Sequence, residues 1–221
     1  MKGSLHRDAA VADPIGAQGH QALMPRTPEV ILGPFYPADR IAPRTSDLTK
    51  LSNEAAGAAG DQILVSLRII NEDGNSLESA CAEFWQANAS GRYRHVLDVG
   101  PAPLDSSFDG FGSQITDVRG RLSFKTVKPG PYRTPLGETR APHIHFQVTD
   151  GIRRLVTQMF FPGEPLNVQD RCLQSCRHPA MLIARAIKPA STDVPEFSWQ
   201  IVLSRRTFVP LSTHALLESQ K

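Results

Sequence analysis

Two histidines, His143 and His145, stand one residue apart in the run His143-Ile144-His145-Phe146-Gln147-Val148. If this run is a strand, alternation puts both imidazoles on one face, about 7 Å apart along the backbone. Neutral imidazole is a ligand for several transition metals. The pair is therefore either the start of a metal site or two polar groups on a solvated strand face. No carboxylate follows within Phe146-Gln147-Val148-Thr149 to complete a two-histidine-one-carboxylate site. Cys172 and Cys176 are separated by three residues, which is not the usual zinc-knuckle spacing, and they read as ordinary thiols.

The chain has ten phenylalanines but only three tyrosines, so the places where a phenol is used carry information. Tyr132 ends Lys128-Pro129-Gly130-Pro131-Tyr132, a loop stiffened by two prolines. Tyr93 lies in Gly91-Arg92-Tyr93-Arg94-His95, just past the segment bearing Trp85. A phenolate is a hard anionic donor and ferric iron a hard acceptor. Two phenolates and two imidazoles would leave Fe(III) a net charge of about +1, and the ion would hold each phenol far below its free pKa of about 10. Taken singly, each tyrosine reads equally well as a packed aromatic with its hydroxyl bonded. A zinc hydrolase built on the histidine pair is the competing metal chemistry. It would need a third His or a carboxylate nearby, for which His95 is the nearest candidate, and it leaves both tyrosines unexplained.

These groups must be positioned by strands. Ile63 to Ile70 is β-branched and followed by the turn signal Glu72-Asp73-Gly74-Asn75, with Ala80 to Ala87 expected as the returning strand. Gln114 to Asp117 and Leu122 to Val127 form a second candidate hairpin. His143 to Val148 and Leu155 to Phe161 flank Asp150-Gly151, and Ser198 to Leu203 with Thr207 to Val209 suggest a final pair. Only Pro179 to Lys188 has helical character, with a proline suited to the first turn. The Ala/Gly-rich stretch from Arg40 to Asp61 could carry a short helix, against which its glycines count. Gly91 to Gly112 has little regular pattern, as functional loops often do. The expected fold is all-β: an antiparallel β-sandwich with long active-site loops and little helix. Residues 1–28 read as an N-terminal arm ordered only if something holds it, and residues 29–221 as a single domain.

Composition excludes other classes. At 221 residues, 40% hydrophobic and 21% charged, the chain is ordinary globular protein. Twenty-four basic against 22 acidic residues give a net charge of +2, too small to argue for a nucleic-acid or membrane partner. No apolar run is long enough to span a bilayer, and the N-terminus lacks the apolar core of a signal peptide. Three cysteines offer no disulfide framework, and the expected location is the cytoplasm.

Taken in order, Phe84-Trp85-Gln86-Ala87-Asn88 with Gly91 to His95, Val127 to Tyr132, Arg140-Ala141-Pro142-His143-Ile144-His145-Phe146 and Thr157-Gln158-Met159-Phe160-Phe161 resemble the intradiol ring-cleavage dioxygenases. Within them the resemblance is to the iron-bearing chain of the protocatechuate branch, over roughly residues 29 to 210. It implies a non-haem Fe(III) cofactor and insertion of both atoms of O2 into a small aromatic diol, giving a cis,cis-muconate-type diacid. By the same resemblance, Tyr93 and His143 match equatorial iron ligands, and Tyr132 and His145 the axial pair. Tyr132 doubles as the base that takes up a substrate proton. Arg140 matches the arginine that stabilises charge on the substrate ring, and Gln158 a polar residue near the metal. Trp85 matches a pocket wall, although core packing accounts for it equally well. Gly33-Pro34-Phe35-Tyr36 resembles the family's substrate-lining segment, so Gly33, Pro34 and Tyr36 join the expected pocket. In two-chain relatives that segment and the iron ligands lie on different chains. Here both are on one, which implies a homo-oligomer. The branch carries Trp two residues after the axial tyrosine where this chain has Thr134, implying a smaller or more polar wall. A non-catalytic sandwich that kept the family's shape is the remaining alternative.

Overall fold

The computed structural model describes residues 22–51, 57–134, 136–188 and 194–204. Ten strands are formed: β1 (Gln62–Asn71), β2 (Cys81–Trp85), β3 (Phe111–Ile115), β4 (Arg121–Val127), β5 (Tyr132–Arg133), β6 (Thr139–Arg140), β7 (His143–Thr149), β8 (Arg154–Phe160), β9 (Arg185–Ile187) and β10 (Glu196–Leu203). Two four-stranded sheets, ordered β4-β1-β10-β9 and β3-β2-β7-β8, face each other, and β5-β6 make a small third sheet. Pairing is antiparallel apart from β1 with β10, which run parallel. The fold is the expected all-β sandwich. Among the described residues, helix is limited to α1 (Arg171–Gln174) and two 3-10 turns, Pro165–Val168 and Pro179–Leu182.

Alternation fills the space between the sheets. Val65, Leu67 and Ile69 of β1 and Leu122 and Phe124 of β4 point inward, against Ala82 and Phe84 of β2 and Ile144, Phe146 and Val148 of β7. Phe84 and Phe124 stack with centroids 3.9 Å apart, joining the two layers. Burying side chains of this size stabilises by about 1.5–3 kcal/mol each.

The expected β7–β8 hairpin forms, but the two earlier ones do not. β1 and β2 lie in opposite sheets, as do β3 and β4. The turn after β1 is real: Asn71 Oδ1 accepts from Asp73 N and Asn75 N. The chain then continues through Leu77, whose N donates to Ile69 O, and crosses to the other layer. Both partners bury an apolar face, and facing across the sandwich satisfies both.

The expected helix over Pro179 to Lys188 is also replaced, by the 3-10 turn and β9. Trp199 Nε1 donates to Met181 O at 2.8 Å and Ala184 N to Phe160 O at 2.9 Å, which hold the segment extended along the sheet. Described residues between Arg40 and Asp61 contain no helix; Arg44 and Asp47 instead make single bridges to Ser113 and Lys125. The expected strand at Thr207 to Val209 lies outside the described residues, as do residues 1–21 of the arm. The rest of the arm is held: Met24 N donates to Glu72 O and Thr27 N to Val202 O.

Candidate metal centre

The alternation that sends Ile144 and Phe146 into the core sends His143 and His145 to the outer face of β7. Neighbouring strands place Trp85 and Gln158 on that face, both in register with His145. Trp85 stacks on the His145 ring, centroids 4.9 Å apart and 13° from parallel, and Phe160 lies against His143 at 5.4 Å.

Two loops bring in the tyrosines. Asn88 organises the first: its Oδ1 accepts from Ser90 N and Arg92 N, and its Nδ2 donates to Pro103 O. Gly130 N donates to Asn88 O, which ties the second loop to the first. At Gly91 (φ +80°) a Cβ would lie 2.1 Å from Pro131 O, so only glycine permits this approach. Asp98 Oδ2 accepts from Tyr93 N at 2.7 Å. The phenol rings of Tyr93 and Tyr132 meet edge-on at 5.4 Å, with Tyr132 5.7 Å from His143 and Tyr93 6.2 Å from His145. The four rings expected to carry the ligand atoms thus gather in one cluster.

The polar atoms there fit a cation. His143 Nδ1 lies 2.6 Å from Ala141 O, so Nδ1–H donates and Nε2 carries the lone pair. The two Nε2 atoms approach to 3.1 Å. Two nitrogen donors each about 2.1 Å from one ion, at a right angle, would be about 3 Å apart. Tyr93 is buried, and among the described residues its hydroxyl makes no hydrogen bond of ordinary geometry; the nearest polar group acting on it is the Tyr132 phenol. Burial holds His143 and His145 well below their ordinary 6.5, helped by the Arg140 charge on both and by His143 acting on His145, so both are neutral and ligand-competent. Burial also raises both phenols above 10.0, Tyr93 most strongly, so their ionisation requires a compensating positive charge. Among the described residues no group of three His, Cys, Asp or Glu gathers that could hold a metal, so the zinc alternative lacks its third ligand. The His95 ring accepts from Leu97 N within its own loop and packs on Phe35.

Arg140 is buried; its Nε donates to Asp170 Oδ2 at 2.9 Å and its Nη2 to Gln158 Oε1 at 2.6 Å. Gln158 Nε2 reaches Ile31 O. Gly33 (φ +77°) passes over His145: a Cβ there would lie 3.2 Å from Cε1. Pro34 is exposed, and the Tyr36 ring packs edge-on against Trp85 while its hydroxyl donates to Glu83, so this phenol is engaged away from the other two. Thr134 Oγ1 accepts from Glu138 N within its own turn. Cys81, Cys172 and Cys176 are free thiols.

Two residues escaped the sequence reading. Phe35 packs on Tyr93 at 4.6 Å and on Tyr132 at 6.0 Å, walling both phenols; its place inside Gly33-Pro34-Phe35-Tyr36 was the available signal. Asp170, wholly buried beneath Arg140 and capping α1, lies in a stretch where the sequence suggested neither a helix nor a site.

Comparison with known proteins identifies the family. A family model described as "Dioxygenase" matches residues 31–205. The protocatechuate 3,4-dioxygenase beta chain of Burkholderia cepacia is 38% identical over 80% of this chain and 79% of its own. The hydroxyquinol 1,2-dioxygenase of Rhizobium sp. is 30% identical over 68% of this chain and 53% of its own, so this chain spans about half of that longer relative. Among solved structures, the dioxygenase domain of a carbohydrate-binding fusion from Streptomyces sp. superposes with a TM-score of 0.63 at 25% identity, covering 81% of this chain and 99% of that one. The chain belongs to the dioxygenase family and is an enzyme of its intradiol ring-cleaving class.

Proposed function

We propose that this protein is a non-haem Fe(III) enzyme that cleaves a protocatechuate-like or hydroxyquinol-like ring between its two hydroxyls, with O2, to a cis,cis-muconate-type diacid. The carrying observation is the convergence of two imidazole Nε2 atoms 3.1 Å apart with two phenols, one of them buried without a hydrogen bond among the described residues. Tyr93, Tyr132, His143 and His145 would hold the iron. When bound, ferric iron supplies Lewis acidity and an electron acceptor that makes the diol ring reactive towards O2.

The chain's own groups do the rest. Tyr93, enclosed by Phe35 and the Asp98-anchored loop, is the fixed anionic donor. Tyr132 is only half-buried and is the base, its Oη taking a proton from a substrate hydroxyl. Arg140, held by Asp170 and Gln158, presents positive charge to the electron-rich ring. Trp85, Phe35 and Phe160 keep water from the histidine and tyrosine donors.

Relatives support the substrate class and the assembly. Both the beta chain of protocatechuate 3,4-dioxygenase from Burkholderia cepacia and the alpha chain from Pseudomonas putida (29% identical) match this single chain. That favours one gene product serving both roles in a homo-oligomer. The deciding experiment is elemental analysis and visible spectroscopy of purified protein, with O2 uptake on a panel of protocatechuate, hydroxyquinol and catechol. The expected result is a red-brown, iron-containing protein made of one kind of chain that consumes O2 with the first or second substrate. A colourless iron-replete protein, or one with an obligatory second chain, would overturn the corresponding part.

A further inference from the structure

We propose that Asp170 is a positioning residue for ring cleavage, acting through Arg140. Asp170 Oδ2 accepts from Arg140 Nε and from Ala141 N, both at 2.9 Å, so one oxygen grips the arginine at its head and at the peptide that follows it. The other oxygen, Oδ1, accepts from Leu173 N at 3.0 Å and caps α1, which anchors the carboxylate to a separate part of the chain. Asp170 is wholly buried, and among the described residues its one salt-bridge partner is Arg140, itself buried.

The guanidinium has five N–H donors in a rigid plane. Asp170 fixes Nε and Gln158 fixes Nη2, two points that determine how the plane lies. Nη1 makes no hydrogen bond among the described residues and is the edge left for substrate. Gln158 alone would leave the plane free to swing about a single contact. The ion pair also offsets the cost of burying the guanidinium, which stays charged beside two imidazoles. Asp170 itself faces Arg140 and α1 and touches neither imidazole nor phenol by any hydrogen bond.

Asp170→Asn keeps the shape, removes the charge and turns one of the two acceptor oxygens into a donor. The expected result is a fall in kcat of about tenfold to a hundredfold, shared by kcat/KM, with KM and iron content unchanged. Arg140→Met supplies the second corner of a double-mutant cycle. If Asp170 acts through Arg140, the double variant is no slower than Arg140→Met alone. A crystal structure of metal-free Asp170→Asn is the readout independent of turnover, and it should show Arg140 Nη2 displaced from Gln158. Falls in kcat that multiply in the double variant, loss of iron from a folded Asp170→Asn, or an unchanged Arg140–Gln158 contact would each overturn the proposal. Should the Asn variant fail to fold, Asp170→Ser retains an acceptor for the helix cap and enters the same cycle. The inference rests on ring cleavage at this site: O2 uptake by the wild-type protein tests that reading, and the comparison among variants tests this one.

Discussion

The imidazoles of His143 and His145 face each other through their Nε2 atoms at 3.1 Å, while His143 alone has its other nitrogen tied to a backbone carbonyl. His145 Nδ1 is buried without a partner. The two rings are therefore oriented differently: His143 by the carbonyl of Ala141, His145 by stacking on Trp85 and by the backbone at Gly33.

That difference makes Gly33 a sensitive position. Gly33→Ala places a methyl 3.2 Å from His145 Cε1 at φ +77°, where an L-residue costs about 1–2 kcal/mol. The variant should lose activity and iron out of proportion to its lowered thermal midpoint, read by elemental analysis and calorimetry on the same preparation.

Tyr93→Phe tests the opposite balance. Among the described residues the deleted hydroxyl makes no hydrogen bond of ordinary geometry, so the metal-free variant should be as stable as the parent to within about 1 kcal/mol, or more stable. Its visible band should weaken and O2 uptake fall by more than about tenfold. Full activity in this variant would rule Tyr93 out as a ligand.

Iron itself should stabilise the fold, because a ligand bound only by the native state shifts unfolding by mass action. Dialysis against a ferric chelator is expected to bleach the protein and lower its thermal midpoint, and added ferric iron to restore both. The same treatment of Tyr93→Phe should move its midpoint less.

The β7–β8 turn gives a pH prediction away from the metal. Burial acts to raise the Asp150 carboxyl, but hydrogen bonds from the side chain and backbone of Arg153 and the Arg153 charge outweigh it, holding the group below its ordinary 3.8. A depressed carboxyl contributes stability that is present above its unfolded value and lost as pH falls through its folded one. Asp150→Asn should unfold at lower urea than the parent at neutral pH, and the gap should close progressively below about pH 4. A gap that persisted into acid would mean the turn geometry, not the charge, holds the hairpin.

Much of this was legible in the sequence, for identifiable reasons. The His143/His145 face and the β7–β8 hairpin follow from strand alternation and a short turn. The sandwich followed from many short strands. Which strands pair did not, because Glu72-Asp73-Gly74-Asn75 announces a reversal without saying which sheet the chain joins next. The convergence of Tyr93 and Tyr132 depends on Asn88 and Gly91 locking two loops together through backbone contacts, which leave no periodic trace. It was reachable only through resemblance to a known family. Asp170 stayed hidden because its partner, Arg140, is 30 residues away and no local pattern links the two.

In β7 every second residue serves the interior and the ones between serve the metal-facing surface. A slip of one position against β8 would exchange the two sets at once, driving imidazoles into the hydrocarbon layer and leaving Ile144 and Phe146 outside. The pigment expected of the iron-loaded protein is therefore also a gauge of folding fidelity: in a refolding experiment, colour should return only with molecules whose strands have settled in their native alignment, and not with collapsed chains that have merely regained sheet.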